Sequence, residues 1–76
     1  MAHLIQREGL RVVIGLGKTG LSCVRYLCSL GYKVAVNDTR DNPPNLLELQ
    51  TEFPDVAINL GKLDEHLLLS AQEIIS

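Results

Sequence analysis

Three glycines near the start of the chain have the spacing of a phosphate-binding loop. Gly15, Gly17 and Gly20 satisfy G-x-G-x-x-G, after a β-branched apolar run and before a helical pattern. The first glycine permits a tight turn, the second lets a diphosphate approach the backbone, and the third lets the helix pack closely on the strand. The N–H groups and positive dipole end of the helix attract the anion. We therefore predict a diphosphate site formed by Gly15, Leu16, Gly17, Lys18, Thr19 and Gly20.

Two side chains in this loop offer further contacts. The Thr19 hydroxyl could donate a hydrogen bond to a phosphate oxygen, and Lys18 could supply a backbone N–H and a nearby charge. The alternative is that Thr19 only caps the helix and that Lys18 is solvated. The loop lacks the Walker pattern G-x-x-x-x-G-K-[ST], so we do not expect this segment to hydrolyse ATP.

A second polar group follows the second predicted strand, 18 residues after Gly20. In dinucleotide-binding domains an acidic residue there accepts hydrogen bonds from ribose hydroxyls, which is the role predicted for Asp38. Thr39 could bond a base edge, and Arg40 could stack on a nucleobase or meet a phosphate. The alternative is that Asp38 caps a turn and that Arg40 is solvated. The negative charge of Asp38 disfavours NADP, whose 2′-phosphate it would repel.

Other reactive residue types do not form a recognisable catalytic or metal-binding set. His3 and His66 are predicted to be solvated, and Cys23 and Cys28 to be small buried thiols that cannot bridge. No His, Cys, Asp and Glu spacing indicates a metal site, and no nucleophile–base set or carboxylate pair indicates catalysis. We predict a nucleotide-binding segment with no catalytic residues and no metal of its own.

Composition limits the kind of protein that this chain can be. Its 76 residues with 46% hydrophobic content suffice for one small core, and a net charge of −2 gives no general attraction to nucleic acid or anionic membrane. The sequence has no membrane-spanning run or signal peptide pattern. We expect a cytoplasmic, monomeric protein whose partner is a small molecule, with no nucleic acid or membrane partner.

Strand and helix patterns alternate along the chain. Gly31 has the position of a helix C-cap glycine, and Asp64 that of an N-cap. The alternation predicts an α/β, Rossmann-like, doubly wound parallel sheet of about four strands with helices on both faces. The predicted strands are 11–16, 33–37, 56–59 and 73–76, and the predicted helices are 18–30, 46–52 and 64–71, with a turn over 38–45. Because the last strand stops abruptly, we expect residues 1–76 to be a truncated domain of a longer protein.

The residues alone leave two ligands open, a nicotinamide cofactor such as NAD in an oxidoreductase or sensor, and a nucleotide-diphosphate substrate in another class of enzyme. The stretch 12–24 and Asp38-Thr39-Arg40 with Pro43-Pro44 resemble the start of the Mur ligases, in particular those that add D-glutamate. The resemblance continues in order through Gly61, Asp64 and Glu73-Ile74-Ile75 and covers nearly the whole chain.

This resemblance implies the first domain of a three-domain cytoplasmic ligase of peptidoglycan synthesis, needed for cell shape and division. Lys18 and Thr19 would face the diphosphate of UDP-N-acetylmuramoyl-L-alanine, and Asp38, Thr39 and Arg40 would hold the uridine. Family members vary at the position of Lys18. ATP and magnesium would bind the central domain, and the last domain would help to bind D-glutamate, which attacks an acyl phosphate. A Ser-Pro-Gly loop that helps to close the site would follow residue 76.

Overall fold

Four strands alternate with three helices over residues 9–76, which are the residues that the computed structural model describes. This alternation confirms the predicted order of elements. Every strand pair in the sheet is parallel. The elements are β1 (Leu10–Ile14), α1 (Lys18–Ser29), β2 (Lys33–Asp38), α2 (Leu46–Glu52), β3 (Ala57–Leu60), α3 (Glu65–Ser70) and β4 (Ala71–Ile75).

The strand order in the sheet is β3-β2-β1-β4. The chain therefore moves outward from β1 through β2 to β3, and α3 then returns it to the other side of β1. In α/β sheets, a reversal of this kind leaves a crevice between the connections that follow the two strands at the reversal point. The crevice lies at the carboxyl ends of those strands, and ligands bind in it. The predicted Rossmann-like fold is confirmed, with β1 and β2 in the interior of the sheet.

Both faces of the sheet are covered. The buried cluster on one face includes Val13 and Val36, while Val12 and Ala35, which alternate with them, are buried on the other face. Helix α3 contacts β1 and β4. The first face packs against α1 and α2, and its buried members are Val13, Leu16, Leu21, Val24, Leu27, Val34, Val36 and Leu49.

The two predicted helix caps are confirmed. Gly31 has a φ of 88°, and its N–H donates to the Cys28 carbonyl while that of Tyr32 donates to Leu27. This pair of bonds is a Schellman motif, which favours glycine because of the positive φ. At the start of α3, the Asp64 carboxylate accepts a bond from a first-turn N–H.

Each strand differs from its predicted bounds by at least one residue, and the first and fourth strands differ most. The sequence predicts the first strand over 11–16, whereas β1 ends at Ile14 because Gly15 turns the chain with a φ of 93°. The fourth strand is predicted over 73–76, whereas β4 begins at Ala71 because its pairing with β1 extends further back.

The two cysteines are less buried than the sequence predicts. Cys23 and Cys28 are both free thiols and both only half-buried, because they lie at the margins of the apolar stripe of α1. Burial still raises the pKa of the Cys28 thiol, which lowers its fraction of reactive thiolate at neutral pH.

Candidate functional site

The glycine loop and the turn after β2 lie side by side at the carboxyl edge of the sheet. Strand register pairs Ile14 with Asn37, so Gly15 and Asp38 leave their strands at the same level. The Gly15 N–H donates to the Asn37 carbonyl over 2.9 Å. The structure therefore brings the two predicted binding segments together at the edge where ligands bind in parallel α/β sheets.

The surroundings of the loop glycines differ. A Cβ on Gly17 would meet nothing within 4 Å, so the backbone there is open to an approaching ligand. A Cβ on Gly20 would lie 3.0 Å from the Gly15 carbonyl carbon and still closer to its oxygen. Gly20 is thus required for the close contact of α1 with β1, whereas Gly17 has no such constraint from the protein.

Helix α1 begins with unpaired backbone donors. Its N-cap is Gly17, which has no side-chain cap, and the first helical bond runs from the Leu21 N–H to the Gly17 carbonyl over 3.0 Å. Within residues 9–76, the N–H groups of Lys18, Thr19 and Gly20 have no acceptor. The Lys18 and Thr19 side chains are exposed, so the alternative that Thr19 caps the helix is wrong. Three free donors and the helix dipole together suit an anion.

Leu16 contributes to the site through its backbone. Its side chain is fully buried in the core, its N–H donates to the Asp38 carboxylate over 2.8 Å, and its carbonyl accepts a 3.4 Å bond from Asn45 Nδ2. Both backbone groups of Leu16 are therefore used to fix the loop to the segment after β2.

The Asp38 carboxylate is the centre of a closed set of hydrogen bonds. Asp38 Oδ1 accepts from the backbone N–H of Arg40 over 2.8 Å and from its Nε over 2.9 Å. Oδ2 accepts from Arg40 Nη2 over 2.7 Å and from the Leu16 N–H over 2.8 Å. These four bonds use the acceptor capacity of a carboxylate. A ribose hydroxyl could bond Asp38 directly only by replacing one of them.

Asp38 and Arg40 form an ion pair whose two side chains differ greatly in exposure. The Asp38 side chain is 3% exposed and that of Arg40 is 53% exposed. The hydrogen bonds from the Arg40 side chain, joined by the backbone N–H groups of Arg40 and Leu16, hold the pKa of Asp38 well below its usual range despite burial. Asp38 is thus ionised at neutral pH and fixes the edge of the Arg40 guanidinium. Thr39, between them, is exposed.

Two asparagines that the sequence predictions do not include also shape this edge. Asn37 is fully buried and bonded by its side chain to the β3–α3 turn. Asn45, with a φ of 66°, precedes α2 and donates to Leu16. The sequence holds one signal that could have pointed to Asn37. It is an amide inside the buried strand segment 34–38, and a buried polar group must find hydrogen-bond partners.

The remaining predicted features lie apart from this edge or outside the described residues. His66 is exposed on α3, and His3 lies outside residues 9–76. In the described part of the chain, no three His, Cys, Asp or Glu side chains are grouped as metal ligands. The helices among residues 9–76 include none with the length and hydropathy of a membrane span.

Comparison with known families decides what kind of domain carries this edge. The family model described as "Mur ligase MurD-like, N-terminal domain" matches residues 10–76. The chain belongs to this Mur ligase family. It corresponds to the amino-terminal domain of such ligases, and the match gives no support to the NAD-binding alternative.

Individual Mur ligases agree with the family match. UDP-N-acetylmuramoylalanine–D-glutamate ligase of Pseudomonas aeruginosa is 48% identical over 71 residues, and that of Hahella chejuensis is 51% identical over 71 residues. The ligase of Marinobacter nauticus is 50% identical over 64 residues, which is 84% of this chain and 14% of the relative. For the first two, the alignment covers 93% of this chain and 16% of the relative. The chain thus spans only a small part of these ligases.

Proposed function

We propose that this chain binds the UDP part of UDP-N-acetylmuramoyl-L-alanine in a ligase that adds D-glutamate to it. The observation that carries the proposal is the juxtaposition of an open helix N-terminus with the Asp38–Arg40 pair in a member of the Mur ligase family. The first offers donors to a diphosphate, and the second offers a fixed planar cation to a nucleobase.

The diphosphate end of the proposed site is the loop 15–20. The free N–H groups of Lys18, Thr19 and Gly20 would donate to phosphate oxygens, and the Thr19 hydroxyl is exposed beside them. Gly17 leaves room for the phosphates to reach these donors. The exposed Lys18 ammonium would add an attraction that salt screens.

The uridine end of the proposed site is the turn 38–40. Because Asp38 bonds the edge of the Arg40 guanidinium, the faces of that group are left for stacking on the uracil ring. Thr39 is exposed between the two and would bond a base edge. In this arrangement Asp38 acts on the uridine chiefly by orienting Arg40.

The whole enzyme would supply everything else. We propose that the chain is the first of three domains in a cytoplasmic, monomeric protein, and that it is inactive alone. ATP and magnesium would bind outside this segment and would supply the phosphorylation that activates the substrate carboxylate. The amine of D-glutamate would then form the amide. Catalytic residues are proposed to lie outside residues 1–76.

Calorimetric titration of the chain with UDP and with NAD tests the proposed function. We expect UDP to bind more tightly than NAD, since the proposed site offers one stacking surface beside the diphosphate donors and NAD carries a second nucleoside. UMP serves as a control, because losing one phosphate should weaken binding at the loop. A preference for NAD over UDP would refute the proposal.

Arg40→Ala is expected to weaken UDP binding about fivefold, as for the loss of one stacked cation at a partly exposed position. Binding of inorganic pyrophosphate, which lacks the base, is expected to stay within about twofold by the same argument. Arg25→Ala, which removes an exposed arginine from the α1–α2 surface, is the matched control. Equal UDP affinity for Arg40→Ala and the unaltered chain would show that Arg40 does not touch the base.

A further inference from the structure

A second buried polar side chain, Asn37, lies beside Asp38 at the end of β2. Successive residues of a strand point to opposite faces, so Asp38 points to the glycine loop while Asn37 points to the β3–α3 turn. Asn37 is 0% exposed. A buried amide in a strand interior is costly unless its donors and acceptor are all used.

All the polar atoms of the Asn37 side chain are used on the end of β3 and the turn that follows it. Its Nδ2 donates to the Asn59 carbonyl over 3.0 Å and to the Lys62 carbonyl over 2.8 Å. Its Oδ1 accepts from the Asp64 N–H over 2.8 Å, and Asp64 Oδ2 in turn accepts from Asn59 Nδ2 over 3.0 Å. We call Asn37, Asn59 and Asp64 the amide network. It fixes the turn between β3 and α3 at both ends.

The turn held by the amide network also contacts the backbone of the segment 38–40. Its Gly61 N–H donates to the Asp38 carbonyl over 3.0 Å and to the Arg40 carbonyl over 3.3 Å. The segment 38–40 is therefore held from two sides. The Asp38 carboxylate ties it to the glycine loop, and Gly61 ties it to the turn that Asn37 anchors.

We propose that the amide network positions the uridine end of the binding site, acting through Gly61 on the backbone of Asp38 and Arg40. This inference rests on the proposed function. The network does not touch the ligand. It prevents the segment 38–40 from moving away from β3, so that the Arg40 guanidinium is already in place when the nucleotide arrives. Preformed segments do not lose conformational freedom on binding, which increases affinity.

The two ends of the site should therefore respond differently to loss of the network. The diphosphate donors belong to α1, which is fixed by the bond from the Leu21 N–H to the Gly17 carbonyl and by its buried face, with no bond to Asn59 or Asp64. Loss of the network should weaken contacts to the uridine and leave the donors for pyrophosphate unchanged.

Amide hydrogen exchange of the unliganded chain tests the positioning itself. In Asn37→Leu, which is similar in size but lacks the three bonds, we expect the Gly61 amide to exchange about tenfold faster, as for loss of a supporting buried hydrogen bond. The Leu16 amide, bonded to Asp38, is the internal reference and should keep its protection. Unchanged Gly61 protection in a folded variant would overturn the inference, whatever the chain binds.

Binding tests the consequence for the site. For Asn37→Leu we expect the Kd for UDP to rise about tenfold while that for inorganic pyrophosphate stays within about twofold. Asn59→Ala removes only the half-buried bond to Asp64, and it should raise the Kd for UDP about threefold by the same reasoning. If Asn37→Leu does not fold, Asn59→Ala replaces it as the test variant in the hydrogen-exchange and the binding experiments. Arg25→Ala is the control, and neither Kd should change.

The outcomes separate this inference from the proposed function. A selective loss of UDP affinity supports the inference. A proportional loss for UDP and pyrophosphate, or no loss for either ligand, overturns it, because a general destabilisation would not distinguish the two ends. If the unaltered chain binds no UDP, the proposed function fails and the uridine role fails with it. The exchange of Gly61 then still decides whether the network holds the turn.

Discussion

Gly20→Ala is expected to destabilise the chain by about 3 kcal/mol or more, at the upper end of overpacking effects. The added methyl would meet the backbone carbonyl of Gly15, which cannot rotate away as a side chain could. Alanine is better than glycine in a helix by only about 1 kcal/mol, which does not offset this contact. A domain of this length has a total stability of about 4–11 kcal/mol, so much of it would be lost.

Gly17→Ala is the matched control for this prediction. Its methyl would enter open space, and Gly17 has a φ of −83°, which alanine adopts without strain. We expect a stability loss of only about 1 kcal/mol, because alanine is a poor N-cap residue. Its UDP affinity should nevertheless fall about tenfold, since the methyl occupies the proposed path of the diphosphate.

Urea unfolding and UDP titration of both variants separate the effect on stability from the effect on ligand affinity. We expect Gly20→Ala to lose stability and Gly17→Ala to lose ligand affinity. Equal stability of the two variants would show that the helix does not approach the strand as closely as Gly20 requires. Full UDP affinity in Gly17→Ala would place the diphosphate elsewhere.

Asp38→Asn is expected to reduce stability by about 2 kcal/mol, the cost of disturbing buried, charge-assisted hydrogen bonds. An amide keeps one acceptor oxygen, so it accepts at most two of the four bonds that the carboxylate accepts, and its NH2 group would face two donors. Glu52→Gln is the matched control. Glu52 accepts hydrogen bonds of 2.6–3.1 Å from Arg25, but on an exposed surface, where ion pairs contribute little to stability. The unfolding midpoint of Glu52→Gln should therefore hardly change.

The effect of Asp38→Asn depends on pH in a defined direction. The pKa of Asp38 is lower in the folded chain than the value of about 3.9 expected when unfolded. A lowered carboxyl pKa contributes stability that is fully present above the unfolded value and is lost as the pH falls below it. The stability difference between the unaltered chain and Asp38→Asn should thus be constant above about pH 5 and narrow below about pH 4.

Urea midpoints between pH 2.5 and 7 measure this difference. Comparison with the variant removes the contribution of other carboxylates, including Glu52, whose pKa is lowered by its hydrogen bond from Arg25. A stability difference that stays constant down to pH 2.5 would show that the pKa of Asp38 is not lowered in the folded chain.

The order of the elements and the position of the glycine loop could be predicted from the amino-acid sequence. These features depend on residues close together in the chain. Gly31 and Asp64 mark helix ends through bonds within one turn, and the apolar spacing that includes Leu21 and Val24 places one face of α1 in the core. The bounds of α2 follow in the same way from the turn residues before it and Pro54 after it. Local chemistry of this kind needs no knowledge of the sheet.

The bonding partners of the polar side chains at the carboxyl edge could not be predicted without the fold. Asp38 and Leu16 are 22 residues apart, as are Asn37 and Asn59, and each pair meets because neighbouring strands align in one particular register. The sequence predicts a bond from Asp38 to the ribose, which stays a prediction, and it gives no sign that the carboxylate also bonds Arg40 and the glycine loop. Hydrogen bonds between distant segments depend on strand order and register, which periodicity and glycine spacing do not specify.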